Sequence, residues 1–245
     1  MPSALKLKNI TKVYEHGRQP LEALSSLSLN IAREEVVCLI GPNGCGKSTL
    51  LKIVAGIEEP TAGTVTMSGT PGYVPQQPSL LPWRTVEQNL WLPGDISAQA
   101  GRQTKTDIRQ LLQDFGLLEF AGVYPKALSG GMQQKVALLR AILWNPAFLL
   151  LDEPFAGLDS ITRLEMQRWL LNLQHRFHST ILCVTHDIRE AMLLADTIYV
   201  LGQRPGHIRQ KWTVDLPRPR QPRHLATAKA KKLEKNLYDL LVPAL

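Results

Sequence analysis

The residue pattern predicts an α/β fold with a mainly parallel sheet core, an antiparallel β portion near the N-terminus and a helical portion inserted between the two halves of the core. Three observations carry this expectation. The apolar run VVCLI (36–40) passes through GPNGCGKST into the helix-like TLLKIVAG. Short buried-strand patterns then alternate with helical ones from FLLLDEP to TILCVTHD, the alternation that goes with a parallel sheet. At the N-terminus Leu5, Leu7, Ile10 and Val13, and later Leu27, Leu29 and Ile31, alternate with polar residues as in half-buried antiparallel strands.

Taken in order, Gly56 is placed to end the helix that follows the glycine loop. The turn-rich EEPTAGTVTMSGTPGYVPQQ leads to LLPWRTVEQNL, and residues 104–120 carry helical spacing through Ile108, Leu111, Leu112 and Phe115. After LSGGM comes the apolar helix VALLRAILW, the strand FLLLDEP, a long helix from Ile161 to Phe177 and the strand TILCVTHD. TIYVL and HIRQKWTVDL read as closing strands, and a basic helix follows Pro217.

Composition narrows the function classes. The chain has 245 residues, 44% hydrophobic and 20% charged, enough for a large folded domain. No apolar run approaches the roughly 18 residues of a membrane span, and MPSALKLKNITK lacks the apolar centre of a signal peptide, so a cytoplasmic location is expected. Cys38, Cys45 and Cys183 form neither a disulfide framework nor a zinc motif. The net charge of +7 comes from residues 204–245, with 10 Lys/Arg against 3 Asp/Glu; residues 1–203 hold 18 of each.

Two motifs carry chemistry on their own. Gly41 to Ser48 fits G-x-x-x-x-G-K-[ST], in which backbone amides surround phosphates, Lys47 reaches the β and γ groups and the Ser48 hydroxyl binds Mg²⁺. Its strand-before and helix-after context predicts a nucleoside triphosphate site. Asp152 and Glu153 follow four apolar residues at the end of a buried strand, where one carboxylate can hold a metal through water and the other polarise an attacking water. Successive strand residues are expected to point these two carboxylates in different directions.

GPNGCGKST, YVPQQ, LSGGM, LLLDEP, GLD and VTHD occur in the order and approximate spacing of the ATP-binding-cassette (ABC) ATPases, which the chain resembles from residue 4 to about 217. LLPWRTVEQNL, LSGGMQQKVALLRAI and VDLPRPR look most like the ATPases of nitrate, sulfonate and taurine importers. The resemblance implies a P-loop cassette over 1–217, its helical subdomain at about 77–135, and a basic helical extension at 218–245. It implies ATP and Mg²⁺ as ligands. Nucleotide contacts fall to Tyr14, stacking on adenine, and to Gly41, Pro42, Asn43, Gly44, Cys45, Gly46, Lys47, Ser48 and Thr49. Metal contacts fall to Ser48, Gln76 and Asp152, and catalysis to Glu153, Gln76 and His186. Gln77 is the competing choice for Gln76. His186, as a neutral imidazole, has one hydrogen bond to give to phosphate charge.

In that family Ser129, Gly130 and Gly131 face the γ-phosphate of a second subunit, so two chains, identical or paired ABC ATPases, sandwich two ATP molecules head to tail. Asp159 links the two sites and also suits the N-cap of the helix it precedes. The resemblance further implies integral membrane permease subunits as partners, a solute-binding protein indirectly, and a peripheral place on the cytoplasmic face of the inner membrane. Leu80, Leu81, Pro82 and Trp83 suit a groove for a permease helix or burial in the helical subdomain, with Trp83 the better interface candidate. The segment 63–76 is shorter than usual in such importers, Met132 stands where glutamine is commoner, and alkylation of Cys45 would block ATP if its thiol is reachable. A soluble ABC ATPase acting on nucleic acid or ribosomes is the competing class. Only 53 positions separate Gln76 from Ser129, with no second cassette and a charge-balanced core, so no nucleic acid partner is expected. The basic tail suits anionic lipid, a partner, or docking on the chain itself or its twin; the last is favoured by Leu225, Leu233, Leu237, Leu240 and Leu241.

Overall fold

The computed structural model describes residues 3–16, 19–96, 105–145 and 147–241. Two sheets organise the chain. The smaller is antiparallel, with β1 (Ser3–His16) between β2 (Gln19–Ala32) and β4 (Ala62–Met67). β-Bulges in β1 absorb the break in alternation between Leu7 and Ile10 and return Leu5, Leu7 and Ile10 to the same buried face. The short segment 63–76 still supplies β4 and the three-residue β5 (Gly72–Val74).

The larger sheet has six strands in the order β5, β6 (Phe148–Asp152), β7 (Thr180–Thr185), β3 (Val36–Ile40), β8 (Thr197–Leu201) and β9 (Ile208–Thr213). All neighbours are parallel except β9, which turns back antiparallel on β8. Strands β3, β6 and β7 are buried at every residue, which explains why they read as unbroken apolar runs. Their alternate residues serve two cores. Val37, Leu39, Leu150, Leu182 and Val184 pack toward the small sheet and α1 (Lys47–Val54); Cys38, Ile40, Leu149, Leu151, Ile181 and Cys183 pack toward the helices.

The helical portion comprises α2 (Val86–Ile96), α3 (Lys105–Asp114), two 3₁₀ turns and α4 (Gly130–Trp144), which runs past the expected boundary at 135. The helical spacing that began at 104 stops at Asp114, where Gly116 adopts a left-handed backbone; position 104 itself lies outside the described residues. Helices α5 (Ser160–Phe177) and α6 (Ile188–Leu194) complete the cover. Among the described residues no helix is long and apolar enough to cross a membrane.

The tail docks on its own chain. Helix α7 (Ala228–Leu241) buries Ala230 and Leu237 fully, and Leu233, Leu240 and Leu241 pack against the main core. Much of its charge is paired locally: Arg218 meets Asp196 at 2.5 Å, Lys229 meets Asp215, and Glu234 receives Arg189 at 2.7 Å. The buried Arg220 donates to the carbonyls of Ala195 and Val214. Positions 242–245, the last of the basic extension, lie outside the described residues.

Candidate functional site

Four neighbouring parallel strands, β5, β6, β7 and β3, end along one edge, and each delivers a functional segment there. Strand β5 ends before Gln76, β6 at Asp152, β7 before His186, and β3 at the glycine loop. A cleft of about 450 Å³ on this edge is lined by Tyr14, Leu21, Ala23, Asn43, Gly44, Gly46, Lys47, Ser48, Thr49, Gln76, Glu153, His186 and Arg204.

The loop opens the N-terminus of α1, so its amides and the helix dipole offer positive charge to an anion. Lys47 is buried, its Nζ donating to the carbonyls of Gly41 at 2.8 Å and Pro42 at 2.9 Å. The Ser48 hydroxyl donates to Asp152 Oδ1 at 3.2 Å. Burial pushes the Asp152 carboxyl up, and the Ser48 hydrogen bond opposes that. Hydroxyl and carboxylate are hard oxygen donors of the kind Mg²⁺ takes alongside nucleotide phosphates, so Ser48 and Asp152 fit that ion, with the Gln76 amide oxygen as a third donor.

Cys45 points the other way. Its side chain is 1% exposed beneath the loop, against Gly41, and burial raises its thiol, so it is not reachable for alkylation in this conformation. Pro42 and Gly41 likewise contribute backbone only: both accept from Lys47, and neither lines the cleft.

Glu153 is the hub. Its Oε2 receives Gln76 Nε2 at 3.4 Å and lies 3.2 Å from His186 Nδ1. Gln76, not its neighbour Gln77, therefore faces the carboxylate. Two sequence expectations need correction here. The divergence of Asp152 and Glu153 does not come from strand alternation: β6 ends at Asp152, and Glu153 adopts a left-handed backbone with φ of 47°. Its amide is held by the Val184 carbonyl at 2.9 Å, which stabilises a conformation that costs a non-glycine residue about 1–3 kcal/mol. The second concerns His186. A neutral ring that gives its Nδ1 proton to Glu153 has only an acceptor at Nε2, so donation to phosphate requires the imidazolium or a ring that has left Glu153.

Tyr14 stands at the other end of the cleft. Its hydroxyl donates to Glu58 at 2.5 Å and contacts Thr49 at 3.3 Å, while Lys12 lies 5.0 Å from the ring centroid. Burial and the Glu58 bond raise its hydroxyl, and the same bond lowers Glu58, so the ring is held by its polar edge with Lys12 over one face. Nothing in the sequence pattern pointed to Glu58.

Ser129, Gly130 and Gly131 lie outside the cleft. Ser129 caps α4 by accepting from the Met132 amide at 3.3 Å; Ser129 and Gly130 are exposed, and Gly131 is buried against Leu158 and Thr162. Asp159 caps α5 through the amides of Ile161 and Thr162, both at 3.1 Å. Leu80 packs on the helical core, whereas Trp83 is 70% exposed. A separate apolar groove of about 300 Å³ lies between the core and α2, lined by Ile57, Tyr73, Leu92, Pro93, Ile96 and Trp144 among others, and not by residues 80–83.

Arg204 was not singled out by any motif. The signal was its position: the turn-forming GQRPGH follows β8, the neighbour of β3 in the sheet, and so must end beside the glycine loop.

Comparison with known proteins agrees with this geometry. Residues 24–156 match the family model described as ABC transporter. The aliphatic sulfonates import ATP-binding protein SsuB 1 of Pseudomonas savastanoi pv. phaseolicola is 46% identical over 213 residues, 86% of this chain and 88% of that protein. SsuB 2 of Burkholderia cenocepacia is 39% identical over 243 residues, 95% of this chain and 87% of that one. Among solved structures, the dimeric post-hydrolysis state of the ATP-binding cassette MJ0796 bound to ADP and Pi has a TM-score of 0.75 and 32% identity, covering 86% of this chain and 98% of its own. With the glycine loop, the Glu153 hub and these relatives together, the chain belongs to the ABC transporter family, as one of its ATP-hydrolysing, ATP-binding subunits.

Proposed function

We infer that this chain is the energy-coupling ATPase of an importer, working as a head-to-tail pair on the cytoplasmic face of a membrane beneath permease subunits, and that its solutes belong to the small organosulfonate-like class. The observation that carries the reading is the split between the two anion-binding elements. Lys47, Ser48, Gln76, Glu153, His186 and Tyr14 share one cleft, while the exposed Ser129–Gly130 cap opens elsewhere. A cap so placed has a phosphate to meet only when a second chain brings one, and the dimeric cassette relatives support such pairing. The solute class follows the names of the SsuB relatives.

In this reading Tyr14 stacks on adenine, the loop amides and Lys47 hold the phosphates, and Ser48, Asp152 and Gln76 would hold Mg²⁺, which would supply positive charge to offset that of the phosphates. Glu153 takes the proton of the attacking water, Gln76 orients that water, and His186 donates to the γ-phosphate once it turns from Glu153 or is protonated. The permease contributes a helix to the groove beside Leu92, Ile96 and Trp144, whose apolar lining suits the apolar face of a short helix. Closing of the pair around ATP then moves that helix.

The test is Glu153→Gln in the full chain. It is expected to bind ATP with near wild-type affinity, to lose turnover by at least about 100-fold, and to elute as an ATP-dependent dimer in size-exclusion chromatography. Near-normal turnover would remove Glu153 from the base role.

A further inference from the structure

The nucleotide cleft contains a charged group that the roles above leave unused. Arg204 lies on the turn between β8 and β9 and lines the cleft with Gly44 and Tyr14. Its Nε donates to the Gly44 carbonyl at 3.1 Å. Among the described residues it has no carboxylate partner, whereas Arg218 and Lys229 in the docked tail pair with Asp196 and Asp215.

Its position is built, not incidental. Gly206, two residues on, donates its amide to Ala23 at 2.9 Å and accepts from Ser25 at 3.0 Å, so the turn is stitched to β2. A β-carbon on Gly206 would sit 2.1 Å from the Cys45 carbonyl, a measure of how closely the turn is pressed against the back of the phosphate loop. Gly46, at φ 100°, meets the same β2 backbone from the other side, with Ala23 O 2.7 Å from where its β-carbon would be. The Arg204 backbone therefore cannot drift from the loop, and its Nε bond orients the guanidinium.

We propose that Arg204 is a second polyphosphate-binding cation of this site, acting from outside the glycine loop on the same nucleotide that Lys47 and Tyr14 hold. The inference rests on the reading of the cleft as an ATP site. Among the charged residues lining the cleft, Lys47 and Glu153 cancel formally, and Arg204 supplies the excess positive charge toward a polyanion. With Nε engaged by Gly44, the remaining guanidinium donors form a fork suited to phosphate oxygens, which a lysine can match in charge but not in shape. Because the group is exposed, its contribution is screened by salt.

The experiment is a titration of the full chain with a fluorescent ATP analogue at low and high salt, for wild type, Arg204→Gln and Arg204→Lys, with Lys47→Ala as a control. Glutamine keeps a donor for the Gly44 carbonyl and removes the charge. Arg204→Gln is expected to bind about tenfold more weakly at low salt and to lose much of the salt dependence, while Arg204→Lys stays within about threefold of wild type. Wild-type affinity in Arg204→Gln overturns the proposal. So does equal weakening in both variants with salt dependence intact, which assigns Arg204 to loop support alone. If wild type binds no nucleotide, or Lys47→Ala binds as well as wild type, the ATP reading of the cleft fails first and the proposal falls with it.

Discussion

Glu190 shows how much of this molecule is decided by single side chains. It is 6% exposed on α6, one turn beyond His186, and burial pushes its carboxyl up to about 8 from an ordinary 4.5, the nearby Asp187 and Glu153 adding to the effect while Thr185 and Arg163 oppose it. The folded protein thus keeps this proton up to about pH 8, whereas the unfolded chain loses it near 4.5. Between those values the folded state binds more protons, so the contribution to stability falls as pH rises and reaches its full penalty above about 8. Glu190→Gln is expected to flatten this slope, raising the thermal midpoint relative to wild type at pH 8.5 and much less at pH 5; equal shifts at both values would contradict the assignment. At this scale legibility followed locality. Lys47 and Ser48 could be read because the motif and its geometry occupy eight consecutive positions. Glu190, Glu58 and Arg204 could not, because burial and partners far along the chain give them their properties. The positive φ of Glu153 was hidden for a related reason: a left-handed turn after a strand looks in sequence like one more strand residue.

Among the elements, the strands with continuous apolar runs were the most legible, since burial on both faces demands apolar side chains at every position. The N-terminal sheet was less so: the bulge in β1 shifts the alternation, so the period of two is interrupted between Leu7 and Ile10. Helix α7 was legible as an amphipathic pattern, but not its docking surface. Leu237 is fully buried against the core, and Leu237→Ala should cost roughly 2–4 kcal/mol through lost transfer energy and the cavity left behind. That cost is measurable as a lower denaturant midpoint. Neutralising Lys229, whose partner Asp215 is largely exposed, should move the midpoint far less. The reverse order of effects would mean that charge, not apolar packing, fastens the tail.

For the whole molecule the proposed pairing makes a strong demand: if the Ser129 cap meets the partner's phosphate, no single chain carries a complete catalytic site. Lys47→Ala and Ser129→Arg should each be nearly inactive alone. Mixed in equal amounts, half of the pairs would carry one intact composite site, built from Lys47 of one chain and Ser129 of the other. Turnover should recover to roughly a quarter of wild type. No recovery in mixtures shown to form mixed pairs would place both residues in the same site. What LSGGM made legible is the cap itself: its residues precede their helix, and Ser129 accepts from the Met132 amide. The apolar groove beside α2 was not legible, since it is assembled from Ile57, Tyr73, Leu92 and Trp144, whose spacing follows no local period.

The stitching of Gly206 to Ala23 and Ser25, with its backbone pressed on Cys45, also bears on how the protein comes into being. The glycine loop leaves the ribosome early, but one wall of its support is synthesised more than 150 residues later. Closing a contact of such sequence separation costs more chain entropy than closing a local one. A nascent or truncated chain ending before Gly206 therefore carries the complete phosphate-binding motif without the backbone of Gly206 that presses on Cys45 in the folded chain.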